Sequence, residues 1–335
     1  MSNATAIPDD GRLQRFHNTE RAIRRIARPG DDLGPLKDLP GKWESKGHGW
    51  NMIALPFART GPGALDYRLL LNQYDETLNF TLVDTKVPNR GVDNTHNLQT
   101  DQFVVTLDYE QVIHQVAVTD RPPSKVAGSL GLAIHHEPGL FLNMVNLTTD
   151  GMDVARLASI PHGSSALALG THSQVNGVAQ IPPVNGLPIG VNQNLTSPYL
   201  EPYQHFHTTP FVGMVNAPGF PGFDPTSPHL LLTLANQGVN VQGTTVLELD
   251  TTTDSGGIND IPFIEKQADA TAMKSTFWIQ KLGGDSPTFR LQYLQIVNLE
   301  FFPRKDGLPG RIIWPHVSIN TLDKVLDTPD TVTAR

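Results

Sequence analysis

The chain has no cysteine, few aromatic residues (7%) and a low density of charge (17%). Without cysteine there are no disulfides, thiolate zinc sites, iron–sulfur clusters or cysteine nucleophiles, and the core must hold without covalent staples. Acidic residues outnumber basic ones, for a net charge of −8 over 335 residues. With no dense basic stripe, attraction to a phosphate backbone is weak, so nucleic acid is not expected as a partner. No polybasic segment offers a hold on an anionic membrane, and no apolar run is long enough to span one. Residues 1–10 contain no apolar stretch of signal-peptide length. The expectation is a soluble, cytoplasmic protein with no membrane association.

What is abundant is glycine (29), proline (27) and a 39% hydrophobic fraction. That mixture suits β-structure with many turns and long surface loops. Residues 1–35 read as a helical extension. Ala22, Ile23, Ile26 and Ala27 recur at helical spacing within 11–28, Asn18 or Thr19 could cap the helix, and Pro29-Gly30 ends it. From Trp43 onward β-signals dominate. The runs 67–74 and 77–83 read as a hairpin turning at Asp75-Glu76, followed by strands at 102–108, 110–118, 131–145, 154–160 and 165–170. A second strand pair, 276–282 and 289–300, flanks the turn residues 283–287. About ten turn-separated strands predict a mainly β protein with an antiparallel barrel or sandwich, one domain over 36–330. Residues 171–260 are rich in Pro, Gly, Asn and Thr but retain apolar content. They read as a long insertion folded over one end of the barrel, with strands at 230–234 and 244–249.

Common catalytic signatures are missing: no P-loop, no dinucleotide-binding glycine pattern, no nucleophile elbow and no zincin helix. His162-Gly-Ser-Ser165 lacks the strand–elbow–helix context of a serine nucleophile and reads as a turn. His205 and His207 would share one face of an extended segment and could begin a metal site, but no third ligand is near. His135 and Glu137 likewise share one face of a strand, with His136 on the other; the carboxylate could orient the imidazole. His316 follows Pro315, which restricts the backbone there. Taken singly, each histidine is more simply structural, as are the four tryptophans.

Read together and in order, these segments resemble the nitrobindin family, haem-binding ten-stranded β-barrels of the calycin type. The resemblance rests on Leu39-Pro-Gly-Lys-Trp43 with Gly47-His-Gly49, on Ile134-His-His-Glu-Pro-Gly139, on 154–163, and on Pro315-His-Val317 with Leu322-Asp-Lys-Val325. It covers about half of the chain. Pro138 stands in the motif's serine position, and 171–260 has no counterpart. The resemblance implies haem b as cofactor, His316 as the iron ligand and His135 on the opposite side with Glu137. It also implies Ile134, His136, Ile160, His162 and Trp314 around the pocket. An acceptor such as Asn320 or a backbone carbonyl would serve the second nitrogen of His316.

Iron with one protein ligand keeps a position for a small oxidant or nitrogen species. The implied activity is therefore peroxidase-like or peroxynitrite-isomerase-like. Arg156 and Arg90 are the arginines available for a distal role, with no spacing argument for either. The alternative is a non-enzymatic carrier of a hydrophobic small molecule, and a less favoured third reading is a metal-dependent lyase or isomerase built on His205 and His207. Assembly as a homo-oligomer is left open.

Overall fold

The computed structural model describes residues 32–58, 64–284 and 288–325. The helix expected at 11–28 lies outside the described residues. Of what is described, strand dominates, about 55% against 9% helix.

Ten antiparallel strands close into an up-and-down barrel in which each strand neighbours the next in sequence. They are β1 (Gly41–Pro56), β2 (Tyr67–Asn89), β3 (Gln102–Arg121), β4 (Ala133–Met144), β5 (Val154–Ile160), β6 (Ser164–Asn176), β7 (Val241–Asp250), β8 (Asp269–Leu282), β9 (Thr288–Pro303) and β10 (Arg311–Lys324). Pairing of β1 with β10 and of β6 with β7 leaves the closed sheet without a break. A short strand, Gly257–Asp260, adds to the free edge of β6 at Ser164–Leu167. No helix among the described residues is long and apolar enough to cross a membrane.

Several elements differ from the sequence expectation. The hairpin expected at Asp75-Glu76 is instead the middle of one long strand, with Glu76 opposite Ser45 on β1 and Ile113 on β3. Its carboxylate is taken up by hydrogen bonds inside the barrel, so the acidic pair does not have to turn outward. The two strands expected between 102 and 118 are likewise one. Barrel strands occupy both ends of the 171–260 stretch, so the segment that leaves the barrel is 177–240. Within it, 230–234 forms a helix, α2 (Leu230–Ala235), where a strand was expected. A short apolar run carries too little periodicity to separate the two. His205 and His207 lie on α1 (Glu201–Thr208), which begins with Pro202 in its first turn. Two residues apart on a helix do not share a face; His207 instead bonds Asp224 (2.9 Å) and Thr226 (3.1 Å).

Two apolar clusters divide the barrel wall. The inner one is built from Trp43, Leu78, Phe80, Tyr109, Phe141, Phe277, Leu291 and Leu322, and the 3-10 turn Gly34–Leu36 plugs it with Leu36. The outer one lies between the wall and residues 177–240. Trp50, Met52, Tyr67, Trp278, Trp314 and Val317 meet Leu200, Tyr203, Phe206 and Phe223 from the insertion. Trp50 packs among Phe211, Phe220 and Phe223, with ring centroids 5.7–6.2 Å away. Alternation along β1 therefore sends Trp50, Met52 and Ala54 outward and Ser45, Gly49 and Asn51 inward. Gly49 faces the Tyr74 ring; a Cβ there would stand 2.1 Å from it, which accounts for the glycine.

Candidate functional site

The inner face carries an unusual amount of polarity for a barrel of this size, in two layers. The deeper layer is centred on β4 and β5. Glu137 is wholly buried, and so is Arg156 at 3% exposure. Arg156 Nη2 donates to Glu137 Oε1 (2.6 Å) and Nε to Tyr109 Oη (3.0 Å). Nη1 donates to Gln295 Oε1 (2.6 Å) and Ser275 Oγ (3.4 Å). The Tyr109 hydroxyl also donates to Glu137. Burial opposes ionisation of Glu137, but the Arg156 guanidinium and the hydrogen bonds from His135 and Tyr109 outweigh it and hold the carboxyl down at about 2. Phe141, Tyr109 and Phe277 surround the guanidinium at 5.2–5.8 Å ring spacings from one another or from its carbon.

A second acid sits nearby. Glu76, 2% exposed, accepts from Tyr293 Oη (2.6 Å), Gln111 Nε2 (2.7 Å) and Asn320 Nδ2 (2.7 Å). Burial raises its pKa, and those three hydrogen bonds and the proximity of His135 offset the rise only in part. Between these two networks lies a cavity of only about 10 Å³, lined by Tyr109, Gln111, Arg156, Tyr293 and Gln295 together with Leu78, Phe141 and Phe277. Little free space is left between the two networks.

The upper layer, at the end where β4 begins and β5 turns into β6, holds three imidazoles. His135 Nε2 lies 3.1 Å from Glu137 Oε2, and its ring is 6.2 Å from that of His162. His162 is in the exposed β5–β6 turn, where the next residue, Gly163 (φ +105°), has Ile261 packed where a side chain would stand. His316, partly exposed on β10, lies within electrostatic reach of both other histidines. Burial first, then His135 and His162, push its imidazole down to about 3, and burial also lowers His162. His316 is therefore a neutral ring at ordinary pH, and neither it nor His162 has a hydrogen-bonding side-chain partner among the described residues. The short helix α3 (Pro262–Ala268), with no buried residue of its own, packs against β1, β8 and β9 at this end. Its approach is pinned by the Ile261 N–H to Gly163 O bond (2.9 Å).

The sequence-predicted residues divide accordingly. His135, Glu137, His162 and His316 come together, and Ile160 packs against the inner cluster beside them. His136 does not join them: it is exposed and pairs with Glu110 across β3 (2.9 Å, both more than half exposed). Ile134 alternates with His135 and shares that outward face. Trp314 is wholly buried in the outer cluster, stacked on Phe301 at 4.9 Å, its indole N–H donating to Phe301 O (3.1 Å). Of the two arginines, Arg90 is an exposed partner of Asp101 far along the β2–β3 hairpin, and Arg156 reaches His135 only through Glu137. Sequence reading missed Glu76, Tyr109 and Gln295, whose roles come from strands distant in the chain. The one local signal was Arg156 itself, a lone charge in the apolar run Val-Ala-Arg-Leu-Ala.

Among the described residues no group of three or more His, Cys, Asp or Glu side chains is arranged to hold a metal ion alone. No family model matches the chain, and no curated protein matches it. Among solved structures it is similar to that of Rv2717c from M. tuberculosis, at 16% identity and a TM-score of 0.37, over 88% of this chain and 100% of that one.

Proposed function

We propose that the histidine end of the barrel binds haem b through His316 and acts on a small oxidant or nitrogen species at the open side of the iron. The observation that carries this reading is the state of His316. It lies on the inner face of β10, close enough to His135 and His162 for them to lower its pKa, and has no hydrogen-bonding side-chain partner among the described residues. A haem ligand has to be neutral and unclaimed, and one such ligand suffices because the macrocycle supplies the other donors.

When bound, the iron would supply an open coordination position and the redox or isomerising chemistry. The chain's residues do the rest. Glu137, kept ionised by Arg156, fixes one nitrogen of His135 and leaves the other to give or take a proton. Arg156 supplies no distal cation; its donors are committed to Glu137, Tyr109, Gln295 and Ser275. Ile160, Ile258 and Val297 add apolar surface beside the inner cluster, as a flat, largely apolar ligand requires.

The carrier reading has less support. A hydrophobe held inside the barrel would sit against the buried Glu76, Glu137 and Arg156, and nothing about an imidazole triad is required to bind it. Absorption spectroscopy of protein titrated with haemin tests the proposal. A Soret band that forms with the wild type and is lost or strongly shifted in His316→Ala is expected; identical spectra would refute the ligand assignment.

A further inference from the structure

A metal-bound imidazole uses one nitrogen for the metal and presents the other as an N–H donor. The acceptor for that N–H fixes the ring's orientation and tunes its basicity. The acceptor suggested by sequence, Asn320, is already committed at both ends. Its amide nitrogen donates to Ser45 Oγ (2.8 Å) and Glu76 Oε2 (2.7 Å), and its carbonyl accepts the Thr321 N–H (2.7 Å).

A different asparagine is free. Asn51 Oδ1 is shut off from solvent and has no hydrogen-bond partner among the described residues. A buried acceptor left unpaired is costly and calls for an explanation. Asn51 sits on β1 directly opposite Ser318 of β10, so it is the diagonal neighbour of His316. Both are on the inner face: Trp50 and Met52 flank Asn51, Val317 and Ile319 lie beyond His316, and all four belong to the outer cluster. Diagonal neighbours on one face of an antiparallel pair are within reach of ring-bearing side chains. On its other side Asn51 faces Asn72 of β2, whose amide nitrogen donates to Gln115. An orphan acceptor and an orphan imidazole thus occupy adjoining positions on adjacent strands.

We infer that Asn51 is the positioning residue for His316: its carbonyl accepts the N–H of that imidazole when the opposite nitrogen binds iron. The inference rests on His316 as the haem ligand. It gives Asn51 a role in setting ligand strength, with no contact to the reacting molecule. Losing the acceptor makes the imidazole a weaker donor to iron; replacing it with a carboxylate makes the imidazole a stronger one.

Resonance Raman spectroscopy of the ferrous, haemin-reconstituted protein reads this directly in the iron–histidine stretching band. Asn51→Leu should move the band to lower frequency and raise the reduction potential. Asn51→Asp should move both the other way. General loosening of the fold cannot produce shifts of opposite sign, so the pair of variants separates positioning from structural damage. The same band position in wild type and both variants would overturn the role of Asn51 while leaving His316 as ligand. A wild-type protein that takes up no haemin would remove the ligand assignment, and this inference with it.

Discussion

The two faces of the barrel wall are opposites. The outer face under residues 177–240 is aromatic and nearly free of charge, with Trp50, Tyr67, Trp278 and Trp314 meeting Tyr203, Phe206 and Phe223. The inner face carries two buried carboxylates and a buried guanidinium in a largely satisfied hydrogen-bond network. In a small barrel the apolar core is expected inside. Here a second core on the outside, supplied by the insertion, shares the hydrophobic burial and lets the interior be polar. Both faces bury apolar side chains, but the buried ionised groups lie on the inner one alone.

The largest effect that could break this comparison is at the Glu137–Arg156 pair. Removing one partner strands a buried charge and should cost about 3–5 kcal/mol in denaturant unfolding for Arg156→Met or Glu137→Leu alone. The double variant should recover much of that loss, because the remaining site is uncharged. Additive losses would mean that the pair is not the unit.

Next is the outer face. Trp50→Ala should cost roughly 3–5 kcal/mol and expose residues 177–240 to limited proteolysis before the barrel strands. Simultaneous cleavage of barrel and insertion would show that the two faces do not separate.

The pH dependence sharpens the view of the histidine end. His316 is held near 3, against 6.5 for an ordinary histidine. Between those values the unfolded chain binds a proton that the folded one refuses, so stability falls as the pH drops from about 6.5 towards 3. With allowance for its partial exposure, the loss is on the order of 2–4 kcal/mol. His162 contributes with the same sign. Glu137 adds a loss between the usual carboxylate range and about 2, because its folded pKa is depressed. Glu76 acts in the opposite direction: with its pKa raised, its contribution is lost as the pH rises through the folded value. His316→Phe should flatten the slope between pH 6.5 and 4 in unfolding curves, and an unaltered slope would place that titration elsewhere. The smallest effect is expected at His136, an exposed neighbour of the site. His136→Ala should change stability by no more than about 0.5 kcal/mol and leave haemin uptake intact.

Much of the architecture was legible because strand segments announce themselves by alternation and turn residues. The pairing of β8 with β9 and the shared face of His135 and Glu137 follow from a period of two alone. Asp75-Glu76 misled because two adjacent carboxylates look like a turn. Only Tyr293, Gln111 and Asn320, brought from three other strands, make Glu76 tolerable inside. Trp314 misled through its neighbour: two positions from His316, it nonetheless packs into the outer cluster against Tyr67 at 4.5 Å. The neutral state of His316 was invisible in sequence, since it depends on burial and on two histidines more than a hundred residues away.

An anomalous difference map at the iron edge, from crystals of the haemin-loaded protein, would locate the metal. One iron peak is expected within bonding distance of a ring nitrogen of His316, at the end shared with His135 and His162. Iron at the opposite end, in the hollow of about 870 Å³ beside Lys86, Phe103 and His172, or bound by His205 or His207, would contradict it.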